Sequence, residues 1–259
     1  MVKVSDVFAF IDGLAPFDTA MDFDNVGLLV GDMDAEVRKC VVALDVTAAV
    51  VDEAASFGAS LIISHHPVIF TPLKSLQANS IPYELARCGI SAICAHTNLD
   101  MAAFGVNTCL AEALSLQNLM PLSTYETCRG ALPMGLVGEL ETDKSCEEFA
   151  RFVKERLSCD GVRYINVGRK IRKVAVCSGS GGDLIDAAAR QNVDAFVTGE
   201  IKYHEILLAA QSGICVADAG HFKSEDVVIS PLVRRLSERF AEVEFVKSAA
   251  CTDGINFLI

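Results

Sequence analysis

Apolar residues along this chain gather into short unbroken runs, and stretches with helical spacing separate one run from the next. In the first half KCVVALDV reads as a buried strand, TAAVVDEAASFG as a helix capped by Thr47 and stopped by Gly58, and ASLIIS as a second strand. A helix around PYELARCG, a strand ISAICA and a helix FGVNTCLAEAL follow. The second half repeats the rhythm: strand RKVAVCS, helix GGDLIDAAARQN, strand DAFVTG, helix YHEILLAAQSG, strand GICVAD, then a long helix from Glu225 to about Phe240. The two series match element for element.

That self-similarity predicts an α/β protein of two similar domains from an internal duplication, residues 1–125 and 126–259, with the C-terminal tail packing back on the first. Each domain is expected to hold a mainly parallel sheet flanked by helices. Ligands of such sheets bind beyond the carboxyl ends of the strands. Asp45, Ser64, His65, His66, His96, Gly199, Glu200, Gly220 and His221 all fall just after a predicted strand. A polar residue at one strand end is ordinarily where the chain leaves the core; the whole set together points to a site.

Composition narrows the class. With 259 residues, 51% hydrophobic and 22% charged, the chain can bury one large core or two modest ones. A formal charge of −12 argues against a nucleic-acid surface, which needs clustered Lys and Arg. The local basic run GRKIRK at 168–173 reads as a solvated face. No apolar run approaches the roughly 18 to 20 residues that span a bilayer, so no membrane partner is expected. The start, MVKVSDVFAFIDGLAPFD, has no basic n-region, and the ten cysteines lie scattered in apolar segments without a CxxC pair. The expectation is a cytoplasmic protein with reduced core thiols.

All five histidines lie in short polar clusters after apolar runs: SHHP, HTNLD, KYHE and GHFKSE. Imidazole is the commonest metal ligand, and His96 and His221 are each followed four residues later by an acid, Asp100 and Glu225. The blander readings are that Asp100 caps the next helix and Glu225 complements a helix dipole. Adjacent His65 and His66 point in opposite directions on extended chain, which suits two metals better than one. CSGSGG at 177–182 sits at a strand-to-helix turn where backbone N–H groups can hold a phosphate, though glycines there also simply permit tight geometry. DNVGLLVG reads as architectural, with Gly27 and Gly31 at turns or close packing and Asp24 and Asn25 able to reach a site.

The set DNVGLLVG, SHHP, HTNLD, CSGSGG, TGEIKYHE and GHFKSE, in that order over nearly the whole chain, resembles the NIF-three-like proteins, also called GTP cyclohydrolase 1 type 2 homologues. The resemblance implies a dinuclear metal centre of His65, His66, Asp100, His221 and Glu225 in the cleft between the two domains, with His96 beside it. It also implies a toroidal homohexamer. Phe222 and Ser224 stand where the family commonly has Tyr and Thr, and Phe23 where a Trp is common. None of these is an implied ligand.

Two divalent ions, Fe, Zn, Mn or Ni, would make hydrolytic machinery. His96 and His204 are candidate acid–base groups, and Glu200 and Lys202 candidates for substrate contact. The expected function is therefore a metal-dependent hydrolase of a small nucleotide-like or heterocyclic substrate, with His96, Glu200 and His204 as catalytic residues. The alternative is a metal-binding scaffold or regulatory protein without turnover.

Overall fold

The computed structural model of the chain describes residues 1–258; residue 259, which closes the second expected domain, lies outside the described residues. In chain order the strands are β1 (Gly27–Val30), β2 (Lys39–Ala43), β3 (Leu61–Ser64), β4 (Ser91–Cys94), β5 (Gln117–Thr127), β6 (Gly130–Ser145), β7 (Arg163–Tyr164), β8 (Lys170–Val176), β9 (Ala195–Thr198), β10 (Cys215–Asp218) and β11 (Glu244–Lys247). They form two sheets, flanked by helices. The chain divides into two compact units that are not consecutive halves. One comprises Met1–Phe104, Thr127–Arg129 and Ile229–Thr252; the other comprises Gly105–Glu126, Gly130–Val228 and Asp253–Ile259.

The first unit holds the sheet β1-β4-β3-β2-β11, parallel except for β1, which runs antiparallel to β4. Every residue of β3 and β4 is buried, as a parallel strand covered on both faces requires. The helix Ala48–Phe57 between β2 and β3 is capped by the Thr47 hydroxyl, which accepts from Val50 N, and it ends at Gly58 with φ 77°. It buries Val50, Val51 and Ala54. Gly31 has φ 110°, and a Cβ there would overlap Ser91, so close packing accounts for this glycine of DNVGLLVG.

Register matters most for the site. Ala43 pairs with Ser64, and Ser64 with Cys94, so β2, β3 and β4 end level. The ladder runs on through His65 N to Ala43 O, His66 N to Leu44 O and Ala95 N to Ser64 O. Asp45, His65, His66 and His96 are thereby delivered to one edge of one sheet.

The second unit holds the sheet β5-β6-β8-β9-β10-β7. Strands β8, β9 and β10 are parallel, and β6 and β7 run antiparallel beside β8 and β10. Alternate residues face two cores. Val174, Val176, Ala195, Val197, Cys215 and Ala217 pack with Phe149 and Val153 of the helix Cys146–Arg156, while Ala175, Phe196 and Val216 pack with Ile185 and Ala188 of the helix Ile185–Arg190. Each unit thus contains a βαβαβ run with parallel strands. The long helix expected from Glu225 is instead a helix His221–Glu225, a 3-10 turn Asp226–Val228 and a helix Ile229–Arg239. Among the described residues no helix is long and apolar enough to cross a membrane.

Candidate functional site

The edge where β2, β3 and β4 end carries three imidazoles. One ligand atom from each of His65, His66 and His96 lies within 4.8 Å of the others. The ring centroids form a triangle of 5.0, 5.1 and 5.5 Å, with planes tilted or edge-on rather than stacked. Each ring is held through Nδ1 by an oxygen: His65 by the Ala95 carbonyl at 3.0 Å, His66 by Asp45 at 2.7 Å and His96 by Asp24 at 2.9 Å. A carbonyl can only accept, so the His65 Nδ1 carries the proton and its lone pair sits on Nε2. Asp100, on the helix Thr97–Met101, places Oδ1 at 3.6 Å from that Nε2.

Asp24 is the most constrained group here. Its side chain is fully buried, and it accepts from Thr97 N at 3.0 Å, Thr97 Oγ1 at 2.5 Å, Asn25 N at 2.7 Å and the His96 ring. Burial alone pushes its carboxyl up, but the hydrogen bonds from His96 and Thr97 and the neighbouring imidazole together outweigh this and hold it down at about 2. The His96 backbone is fixed too: its N–H donates to Asn98 Oδ1, and the Asn98 amide donates to Ala15 O. Below the cluster, the Cys94 thiol donates to His65 O at 3.0 Å, and burial pushes it well above the usual thiol range. It is therefore a thiol that packs, not a thiolate donor.

In the second unit the helix His221–Glu225 follows β10. Its i to i+4 spacing sets His221 Nε2 at 3.1 Å from Glu225 Oε2, while His221 Nδ1 lies 3.1 Å from Glu200 Oε1. Two glycines make room for this helix. A Cβ on Gly199 would stand 2.7 Å from His221 Cα and 2.5 Å from Ser224 Oγ, and one on Gly179 would overlap the Glu225 carboxylate. A Cβ on Gly182 would likewise overlap the buried Glu205 carboxylate.

Among models of protein families, that of Duf34/NIF3 (NGG1p interacting factor 3) matches residues 2–254. The chain belongs to the Duf34/NIF3 family. It is 31% identical to a "GTP cyclohydrolase 1 type 2 homolog" of Clostridium perfringens, over 99% of this chain and 100% of that protein. The relative of the same name from Clostridium acetobutylicum is 34% identical, over 86% of this chain and 85% of that one. A crystal structure of a Bacillus cereus protein related to NIF3 superposes with a TM-score of 0.91 at 26% identity, covering 99% of both chains. That of the Staphylococcus aureus protein SA1388 gives 0.91 at 32% identity, again over 99% of both.

Within this NIF3 chain the sequence-chosen residues fall into distinct situations. His65, His66 and His96 are brought together, with Asp100 beside His65, and His221 and Glu225 lie 3.1 Å apart. Glu200, expected to touch substrate, is the hydrogen-bond partner of His221. His204 has a side chain 77% exposed, with Glu205 of its own helix 3.8 Å away. The CSGSGG turn spends its amides within the fold: Ser178 N donates to Asn107, Gly179 N to Ser224 Oγ and Gly181 N to Thr198 Oγ1. Those donors and the two carboxylates at Gly179 and Gly182 make the turn a seat for Glu225 and Glu205, not a phosphate cradle.

Sequence reasoning did not assign Asp24 or Asp45 to the histidines they hold. It also passed over an aromatic rim. Phe70 stands edge-on to His96 at 6.5 Å between centroids and lies 6.3 Å from Phe23, and both phenylalanines are largely exposed. The Asn25 amide, which donates to Ile69 O at 2.6 Å, stitches their two loops together.

Proposed function

We propose that this NIF3 protein is a dinuclear metal-dependent hydrolase of a small nucleotide-like or heterocyclic substrate. The observation that carries the reading is the level edge of β2, β3 and β4, where three imidazoles share one small volume with Nδ1 of each engaged by an oxygen. An acid-and-imidazole set without thiolate fits Fe, Zn, Mn or Ni. His65, His66, Asp100, His221 and Glu225 would hold two such ions. When bound, divalent ions supply Lewis acidity and bring the pKa of a coordinated water toward neutrality.

The chain's own residues have separable tasks in this proposal. Asp45 and Glu200 orient His66 and His221 through Nδ1, which fixes tautomer and ring direction. Phe23 and Phe70 offer an exposed apolar rim against which a flat ring can lie, which supports a heterocyclic substrate. His204, exposed on the first turn of the helix Tyr203–Gln211, is an acid–base candidate. The relatives' name makes purine nucleotides the first substrates to screen. The proposal includes a homohexamer, checked by mass measurement in solution at micromolar concentration.

The test is metal content per chain on protein purified without added metal or chelator, paired with a hydrolysis screen of nucleotides and phosphate esters. About two ions per chain with turnover that chelation abolishes is the expected result. Turnover that survives in metal-free protein sinks the reading, and two ions without turnover leave a metal-binding scaffold.

A further inference from the structure

Two phenylalanines face each other where the fold gains little from them. Phe23 is 62% exposed and Phe70 49%, yet their ring centroids lie 6.3 Å apart, on two different loops of one unit. Apolar side chains scattered singly over a surface need no explanation; a facing aromatic pair in solvent does.

The two loops are built differently. Phe23 sits in a turn closed by Asp24 N donating to Met21 O, and that turn is pinned at both ends: Met21 N donates to Thr97 Oγ1, and the Asp24 carboxylate accepts from Thr97 and His96. Phe70 opens a run of ten exposed residues, 70–79, in the connection between β3 and the helix Ile81–Cys88. Its backbone is tied nearby, where the Asn25 amide donates to Ile69 O. Phe23 is therefore a fixed wall and Phe70 a yielding one, since few contacts oppose a small displacement of an exposed loop.

The spacing selects the guest. A flat ring held between two others needs each neighbour about 3.5 to 4 Å from its face, roughly 7 to 8 Å from wall to wall. Phe23 and Phe70 stand 6.3 Å apart with planes 52° from parallel, a notch one ring thick and too narrow for a strand or helix of another protein. Beyond Phe70 the surroundings turn polar: the His96 ring stands edge-on to it, 6.5 Å between centroids. Stacking faces beside a hydrogen-bonding group match a nitrogen heterocycle, which has a π-face and a polar edge.

We propose that Phe23 and Phe70 form a clamp that takes a nucleobase-like heteroaromatic ring between them, Phe70 moving with its loop by about 1 to 2 Å to admit it. The pair determines specificity: it retains compounds that carry such a ring and passes over phosphate esters that lack one. The clamp rests on the heterocyclic-substrate reading above and deepens it, but needs neither a metal nor turnover.

The chain contains no tryptophan, so Phe23→Trp puts a single fluorophore into the clamp. Metal-free Phe23→Trp protein is titrated with guanosine monophosphate, adenosine monophosphate and, as the control without a base, ribose 5-phosphate. The nucleotides should quench the emission saturably and ribose 5-phosphate should leave it unchanged. Phe70→Ala in that background should weaken nucleotide binding by about 10- to 100-fold. Calorimetry on the unmodified chain and on Phe70→Ala repeats the comparison without the reporter.

No saturable quenching, an equal response to ribose 5-phosphate, or nucleotide affinity within about threefold after Phe70→Ala overturns the clamp. Emission that ignores nucleotides and shifts with protein concentration overturns it too, because a second copy then covers the rings. Both side chains are exposed, so the thermal midpoints of the variants should match that of the unmodified chain, and a weakened affinity then reports the clamp and not the fold. Quenching with a failed hydrolysis screen would reject the enzyme and keep the clamp; nucleotide turnover with KM unmoved by Phe70→Ala would do the reverse.

Discussion

In the unit built on β2, β3 and β4, the metal-type residues are held by polar side chains and a carbonyl reaching each Nδ1; in the unit built on β8, β9 and β10, the His221–Glu225 helix is held by the side chains that positions 179 and 199 lack. The first scheme fixes each ring through its Nδ1. The second fixes the backbone by close approach and lets the side chains follow. The two should respond differently to substitution and to acid.

The largest effect belongs to the close-packed seat. Gly199→Ala should cost about 2 to 3 kcal/mol of stability by denaturant unfolding, because its Cβ meets the backbone of His221. His66→Ala in metal-free protein should cost under about 1 kcal/mol, since His66 and Asp45 are both partly exposed. Equal losses would erase the contrast.

Acid should single out the first unit. The Asp24 carboxyl, normally near 3.8, is held at about 2 in the fold. A depressed carboxyl stabilises the native state above its unfolded value, and that contribution drains away as pH falls from about 4 to about 2. In metal-free protein it amounts to roughly 2 kcal/mol. Asp24→Asn should flatten the acid limb of a stability–pH curve in that window; wild type and variant falling in parallel would show that the hydrogen bonds to Asp24 are not its source.

Smaller effects sharpen the contrast at helix starts. Thr47→Ala should lose about 1 kcal/mol, because that hydroxyl caps the helix after β2. His204→Ala should stay within about 0.5 kcal/mol of wild type, its side chain being mostly in solvent, so any loss of turnover would be chemical in origin.

The parallel strands were legible because burial on both faces writes them as unbroken apolar runs such as LIIS and AFVT. Strand β5 escaped notice because most of its residues are exposed, so QNLMPLSTYET shows neither period. Strand β11 is four residues long and exists by pairing with β2, a partner about two hundred residues away. The helix expected from Glu225 is interrupted at Asp226–Val228, shortly before Pro231, a residue tolerated only in a helix's first turn. At the site the histidines announced themselves through their clusters. Their oxygen partners did not: Asp24 and His96 are 72 residues apart, and only the register of the sheet joins them.

Strand β11 also imposes an order on synthesis. Its partner β2 ends at Ala43, and Glu244 emerges about two hundred residues later, after the chain has passed through the whole second sheet. At roughly 5 to 20 residues per second that is about 10 to 40 seconds during which the edge of KCVVA has no neighbour on that side. A nascent chain therefore carries an open, apolar strand edge for most of its time on the ribosome, the kind of edge that recruits other chains. Placing Glu244–Lys247 ahead of β2 by circular permutation would close that interval, and the yield of soluble protein on rapid expression would report how much the wait matters.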